Sequence, residues 1–249
     1  NKLIEGDGYP LPRIDDILEE LGGNKYFSLC DQQSGFWQIP IEENSRKYTA
    51  FTTKFGQYQW KVLPMGLKVS PQIQQRYIQQ QVVDQLPHSN VYIDDIITGT
   101  NTIREHVKAL ELLFQAIRKI GMRLNKKKCT FLQTKITVLG HIITEKGIQM
   151  DPEKVKAIKE AKIPSSVEEL RSWLGLVSWC RRFIPRLAPL ADPLYSLLKK
   201  DAFQWTKEHT DTYENVKNAI CEDIVMIHPK WDQAFEVAVD ASNVGLGAV

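Results

Sequence analysis

The stretch VYIDDIITGT, residues 91–100, constrains this chain more than any other, because β-forming residues flank two adjacent aspartates. Val91–Ile93 and Ile96–Thr98 predict two short strands joined by a two-residue turn, with Asp94 and Asp95 at the tip. A plain turn is one explanation, since Asp is common in turns. A two-residue hairpin, however, favours Asn-Gly or Asp-Gly, because it needs positive φ. Asp-Asp suits that geometry poorly and concentrates two charges, which a divalent cation would make favourable. The same tetrapeptide, Ile-Asp-Asp-Ile, also occupies residues 14–17. There Ile14, Ile17, Leu18 and Leu21 form the apolar stripe of a helix, with Asp15, Asp16, Glu19 and Glu20 on its wet face. Pro10 and Pro12 precede this helix and Gly22-Gly23 end it. That first pair reads as a solvated helix face with no special role.

The rest of the composition excludes some classes. With 43% hydrophobic and 25% charged residues among 249, this is an ordinary globular mixture, enough for one large domain or two to three small ones. No run of eighteen apolar residues is present to span a membrane, and NKLIEGDGYP lacks the apolar core of a signal peptide. Cys30, Cys129, Cys180 and Cys221 are too scattered for a zinc site or a disulfide framework, which points to a reducing, intracellular setting. The net charge of +2 conceals an asymmetry: −3 over residues 1–100, +11 over 101–200 and −6 over 201–249. A basic middle third suits a surface that tracks phosphates, although well-solvated helices would leave the same signature.

Along the chain, KYFSLCD (25–31) reads as a strand ending on Asp31, and 36–41, 48–53 and 58–62 read as further strands, with Gly56 in a turn. Ser70-Pro71 opens a predicted helix that runs to 86. Beyond the hairpin, Ile103, Val107, Leu110, Leu113, Phe114 and Ile117 form an amphipathic stripe that Gly121 stops. Lys126-Lys127-Lys128 leads into a second predicted hairpin, ITVLGHIIT followed by EKG. From Asp151 the pattern is helical: Asp151-Pro152 caps one helix, and Ser166 with Glu169 caps LRSWLGLVSWCRRFI. Two shorter helices are predicted near 192–200 and 211–222, and AFEVAVDAS alternates as a strand. The change of pattern near 144–151 marks the predicted domain boundary.

If the strands bearing these acids pair centrally in one antiparallel sheet, Asp31 and Asp94 meet at its edge, where two or three carboxylates would converge. Such a set can hold two metal ions about 4 Å apart. With no His or Cys nearby in sequence, the ligands are hard oxygens, suited to Mg²⁺ or Mn²⁺ rather than zinc. Phosphoryl transfer is the natural use, and the basic middle third fits a nucleic-acid substrate.

Seven motifs occur in one order: YPLPRIDDIL, FSLCDQQSGFWQIPI, YTAFTT, QWKVLPMGLKVSP, VYIDDI, LGHII and LRSWLGLVSWCRRFI. The set resembles the reverse transcriptases of LTR retrotransposons and retroviruses, the gypsy type above all. The resemblance covers nearly the whole chain and implies an α+β right-hand polymerase. Partial fingers and a palm with an antiparallel sheet would take 1–148, a helical thumb 149–185, and a connection 186–230. The truncated start of a ribonuclease H-like domain would take 231–249, with Asp240 in its opening strand. The implied activity is that of an RNA-directed DNA polymerase, an enzyme of the nucleotidyltransferase class. Its cofactors would be two Mg²⁺ (or Mn²⁺) ions, and its partners a dNTP, an RNA template and a DNA primer/template duplex. The implied location is intracellular, including virus-like particles; whether the chain dimerises is left open.

By position, the resemblance makes Asp31 and Asp94 the metal holders, with Asp95 as an accessory acid. Gln32 and Gln33 lie where relatives offer backbone N–H groups to the triphosphate, and Phe36 matches an aromatic gate that favours deoxyribose. A plain core aromatic is the other reading of Phe36. Met65 fills a slot against the incoming nucleotide where relatives carry Gln or Phe. Leu139, Gly140 and His141 match the primer grip, and Tyr92, Gly66, Lys126, Lys127 and Lys128 are further primer/template candidates. Trp173 and Leu174 belong to the thumb core. A catalytically idle nucleic-acid-binding remnant is the competing reading, and the intact Asp31, Asp94 and Asp95 weigh against it. The chain is expected to be a piece of a longer polyprotein, without ribonuclease H activity and with weak polymerisation.

Overall fold

The computed structural model describes residues 1–184, 186–199, 203–220, 225–228, 233–242 and 245–248. The first half holds α1 (Ile14–Glu20), β1 (Tyr26–Asp31), α2 (Glu43–Arg46), β2 (Phe51–Thr53), β3 (Gly56–Tyr58), α3 (Ser70–Gln81), β4 (Ser89–Tyr92), β5 (Asp95–Thr100) and α4 (Ile103–Lys119). Then follow β6 (Thr130–Gln133), β7 (Lys135–Val138), β8 (His141–Thr144), β9 (Gly147–Met150), α5 (Pro152–Lys159), α6 (Val167–Trp179), α7 (Leu187–Ser196), α8 (Lys207–Ala219), β10 (Val239–Ser242) and β11 (Gly245–Ala248).

The central sheet has the order β4-β5-β1-β6, with each pair antiparallel. Its strands alternate, so each face buries a different set of side chains. Cys30, Val91 and Ile96 pack with Ile78 and Val82 of the α3 segment and with Leu113 and Ile117 of α4. Phe27 and Ile97 belong instead to a cluster with Ile17, Leu18 and Leu21 at α1. The predicted stripe of α1 therefore packs as expected.

That second cluster continues through Ile136, Ile143 and Ile148 of the β7-β8-β9 sheet into Val155, Ile158, Leu170, Trp173 and Leu174 of α5 and α6, and on to Leu194 and Tyr213. The predicted boundary near 144–151 is thus crossed by one continuous core. After α8 the chain returns to β9, where Ile148 and Met226 exchange two backbone hydrogen bonds of 2.9 Å. β10 pairs with β11 in a separate two-stranded sheet.

Four expectations are corrected. Residues 36–41 form no strand: Gly35–Gln38 is a 3₁₀ turn, and only an isolated bridge joins Pro40 to Val62. The β-forming residues are overruled because the Gln38 amide donates back to the carbonyls of Gln33 and Arg123, and Pro40 has no N–H to give. Tyr48 lies in a second 3₁₀ turn, Lys47–Thr49, so that strand starts only at Phe51. The last two helices begin earlier than predicted, at Leu187 and Lys207. Pro189 is tolerated in a first turn, and His209 completes a capping box with Thr206 where Glu or Gln is usual.

The fourth correction concerns α4. Its buried face is His106, Ala109, Leu113 and Ile117, whereas Ile103, Val107 and Phe114 of the predicted stripe are exposed. The rotation follows from His106, which is fully buried and linked through its ring nitrogens to Ser28 Oγ (2.7 Å) and Thr100 Oγ1 (2.9 Å). Burial lowers the pKa of this imidazole below its ordinary 6.5. The unfolded chain therefore takes up a proton that the folded core refuses, so stability is full above about 6.5 and is lost as pH falls through the depressed folded value. His106→Ala is expected to cost about 2–4 kcal/mol at neutral pH, since two hydroxyls lose a buried partner. Urea midpoints at several pH values should also show a shallower acid-side loss in that variant than in the parent.

Candidate active site

The β1–β5 register sets Asp31 directly opposite Asp95. Opposed residues of an antiparallel pair leave the same face of the sheet, so these two carboxylates are neighbours, and like charges in that arrangement destabilise it. Asp31 is 9% exposed, Asp95 is half-buried and Asp94 is exposed. Burial, then the charges of Asp94 and Asp31, push Asp95 up to about 6, with Lys128 acting in the opposite sense. The structure thus brings together the three predicted acids at one end of the sheet.

The turn itself differs from the prediction. Tyr92 pairs with Asp95, so the tip is Ile93-Asp94, and Asp95 is the first residue of β5. Ile93 adopts φ +57°, a conformation that a β-branched residue strongly disfavours. Strain of this kind, of order 1–3 kcal/mol, persists only where the surroundings enforce it.

Two glutamines of α3 provide the enforcement. Gln75 is 1% exposed; its Oε1 accepts from the Ile93 N–H at 2.7 Å, and its Nε2 donates to the Val91 carbonyl at 2.9 Å. Gln74, fully buried, donates to Gln32 Oε1 at 3.0 Å, and the Gln32 amide reaches the Ile93 carbonyl at 3.4 Å. A Cβ at Gly35 would collide with the Gln74 amide, so a larger residue there would displace this contact. The sequence reading missed Gln74 and Gln75. The only available signal was an unusual density of glutamine, QIQQRYIQQQ, on a helix.

The remaining candidates fall in several places. The backbone N–H groups of Gln32 and Gln33 are engaged, by the Asp94 carbonyl at 3.1 Å and the Arg123 carbonyl at 3.0 Å. One N–H is thus given to the β4–β5 turn and the other to the segment that follows α4. Phe36 is half-buried and outside both core clusters. Met65 and Gly66 are exposed, Gly66 with φ +88°, and Tyr92 is half-buried against the larger core.

Leu139 (φ +51°) and Gly140 (φ +74°) form the tight turn between β7 and β8. His141 bonds the Leu139 carbonyl through Nδ1 at 2.9 Å and packs beside Trp179 and Phe183, with ring centroids 5.7 and 5.9 Å away. Burial lowers its pKa, and Arg182 adds to the shift. Lys126, Lys127 and Lys128 are exposed, but the Lys128 ammonium lies 3.3 Å from Asp31 Oδ2. The Asp240 side chain lies outside what the structure describes.

The other Ile-Asp-Asp-Ile is not wholly idle. Asp15 Oδ2 accepts from Arg182 at 2.8 Å, tying α1 to the segment that follows α6.

The acid cluster offers only oxygen donors, the chemistry of a hard divalent cation. Among the described residues no three acidic, imidazole or thiol groups already converge on one point, and Asp31 is held by Lys128 instead. Burial and then the charges of Asp94 and Asp31 disfavour the ionised Asp95, and a bound cation would offset both, so the donor set fits such an ion.

Comparison with known proteins follows the same lines. Residues 1–143 match the family described as reverse transcriptase (RNA-dependent DNA polymerase), and residues 205–249 match the RNase H-like domain found in reverse transcriptase. The second match starts ahead of the boundary expected at 231. The whole chain is 38% identical to the retrovirus-related Pol polyprotein from transposon 297 of Drosophila melanogaster, covering 24% of that protein. It is 32% identical to that from transposon gypsy of the same organism, covering 25% of it. The chain thus spans about a quarter of the length of these curated relatives. Among solved structures, foamy viral protease-reverse transcriptase dRH in complex with ds DNA superposes with TM-score 0.90 at 32% identity, over 97% of this chain and 43% of that one. The foamy viral enzyme in complex with an RNA/DNA hybrid gives 0.80 at 34%, over 88% and 30%.

The Asp95 carboxyl provides a test of the crowding. An unfolded Asp ionises near 3.8 and this one near 6, so the folded state holds its proton more tightly. Stability in the presence of a chelator should therefore fall as pH rises between these values. Asp95→Asn cannot ionise and is expected to raise the thermal midpoint at about pH 7.5 clearly more than at about pH 4.5. Equal shifts at both pH values would show that neither burial nor the neighbouring acids raise Asp95 in the folded chain.

Proposed function

This chain belongs to the reverse transcriptase family, and from that premise we propose that it extends a DNA primer on an RNA or DNA template with dNTPs. The observation that carries the reading is the placement of Asp31 opposite Asp95, with Asp94 at the adjoining turn. Asp31, Asp94 and Asp95 would hold two Mg²⁺ (or Mn²⁺) ions. Those ions, when bound, lower the pKa of the primer 3′-OH and neutralise charge on the departing pyrophosphate.

In the reaction the 3′-oxygen bonds to the α-phosphorus of the dNTP, the bond to pyrophosphate breaks, and the hydroxyl proton leaves. The protein positions these groups. Phe36, half-buried and five residues after Asp31, would offer a ring under the sugar, and the exposed Met65 would lie against the incoming base. The Leu139-Gly140 turn and His141 would steady the primer end, and Tyr92, Gly66, Lys126 and Lys127 would line the duplex. A nucleic-acid duplex is supported by the ligands of the two foamy viral structures. No described helix is long and apolar enough to cross a membrane, and an intracellular location is part of this reading.

Asp94→Asn keeps the shape of the turn and removes an anionic ligand. Primer extension should fall by about three orders of magnitude or more, equivalent to about 4 kcal/mol, while primer–template affinity persists. Asp15→Asn serves as the control: it loosens the contact with Arg182 but should retain most activity. Comparable losses at both positions in a primer-extension assay on homopolymer RNA would overturn the assignment.

Phe36→Val tests the sugar gate. Removing the ring should raise ribonucleotide use relative to deoxyribonucleotide use by about tenfold or more, since the lost clash is worth at least about 1.4 kcal/mol. The ratio of the two incorporation efficiencies is the quantity to measure, and an unchanged ratio would leave Phe36 an ordinary packing residue.

A further inference from the structure

Lys128 is placed too deliberately for a surface lysine. Its ammonium stands 3.3 Å from Asp31 Oδ2, while its own side chain remains 66% exposed. The turn that carries it is fastened to the same aspartate. The Asn125 N–H donates to the Asp31 carbonyl at 2.9 Å, and the Asn125 carbonyl accepts from the N–H groups of Lys128 (3.0 Å) and Cys129 (3.1 Å). Asn125 Oδ1 also accepts from the Lys127 N–H at 3.2 Å. One residue, Asp31, therefore anchors this turn with its backbone and meets Lys128 with its carboxylate.

We propose that Lys128 is a resident cation of the acid cluster, holding Asp31 in the metal-free chain and giving way when a divalent ion takes that carboxylate. The proposal rests on the metal role proposed for Asp31. An ammonium offers three donors and one charge, so it neutralises one carboxylate but leaves the oxygens of Asp94 and Asp95 without a partner. A divalent ion draws on several oxygens at once and is repelled by the ammonium at the same position. Ion binding at Asp31 is then an exchange of cations, and the exposed stem of Lys128 lets its head withdraw into water. This role differs from the template contact that the sequence suggested for the lysine triplet. A phosphate-binding lysine would affect the affinity for duplex and its salt dependence, whereas a resident cation affects the affinity for the ion with no nucleic acid present.

The test is Mn²⁺ binding to the intact chain without nucleic acid, read from the electron paramagnetic resonance of the free ion. Lys128→Met and Lys128→Gln should each bind the first Mn²⁺ at least about threefold more tightly than the parent, the direction set by removing a like charge a few ångströms away. Lys128→Arg, which keeps the charge, should stay close to the parent. No gain in the two neutral variants, or an equal gain in the arginine variant, would overturn the proposal. Primer extension is read separately. A chain whose Mn²⁺ affinity responds to Lys128 but which extends no primer would sink the polymerase reading and leave this one standing. An active polymerase whose ion affinity ignores Lys128 would do the reverse.

Discussion

Negative charge is gathered at the end of the central sheet in a place that water reaches only in part. Asp31 and Asp95 oppose each other across β1 and β5, and Asp94 adjoins them, so the local electrostatics resist the pairing that the fold requires. The pairing holds because both strands are buried on both faces: Cys30 and Ile96 on one side, Phe27 and Ile97 on the other. Each fully buried apolar side chain of that size contributes about 1.5–3 kcal/mol, enough in sum to outweigh the repulsion. The Lys128 ammonium supplies a further offset. The acids are therefore displayed by a sheet whose stability comes from elsewhere.

The same logic explains the hairpin. A turn designed for stability alone would carry Asn-Gly, but here Ile93 takes the left-handed position, Asp94 follows it, and Asp95 stands opposite Asp31. Gln75 holds the Ile93 N–H and the Val91 carbonyl together, and Gln74 secures Gln32, whose backbone N–H donates to the Asp94 carbonyl. A buried amide side chain can do this because it presents a donor and an acceptor at fixed separation. The clamp and the strain belong together: the Gln75 Oε1 that accepts from the Ile93 N–H helps hold a β-branched residue at positive φ.

Features governed by local periodicity were legible in the sequence. The stripe of α1, the strand ending at Asp31 and the caps at Asp151 and Ser166 form as their residues dictate. The three acids were also legible, because paired carboxylates between strand-forming residues are hard to explain by packing alone. What escaped depends on partners distant in sequence. His106 turns α4 because Ser28 lies opposite it, 78 positions away, and no pattern within the helix reveals that. FWQIPI reads as a strand until Gln38 meets the Arg123 backbone. The turn differs by one residue because Ile93 reads as a strand former, whereas Gln75 holds it at positive φ in the turn.

The two Ile-Asp-Asp-Ile tetrapeptides show how far context decides the use of a carboxylate. In the hairpin the acids lie against one another, and the resulting repulsion is what makes the place suited to a cation. On α1, Asp16 is exposed and near Arg13, but Asp15 meets Arg182 at 2.8 Å. Arg182 adjoins Phe183, which packs on His141, and Trp179 at the end of α6 packs on the same ring. The Leu139-Gly140 turn thus rests on side chains whose segment is tied back to α1 by an ion pair. Movement of α6 away from the central sheet would therefore strain the Asp15–Arg182 contact and the support of that turn together. A partly exposed pair of this kind is worth about 1 kcal/mol or less, so it can set a preferred position without locking it. One tetrapeptide thereby shapes the acid end of the sheet, and the other helps fix where the adjoining helices stand relative to it.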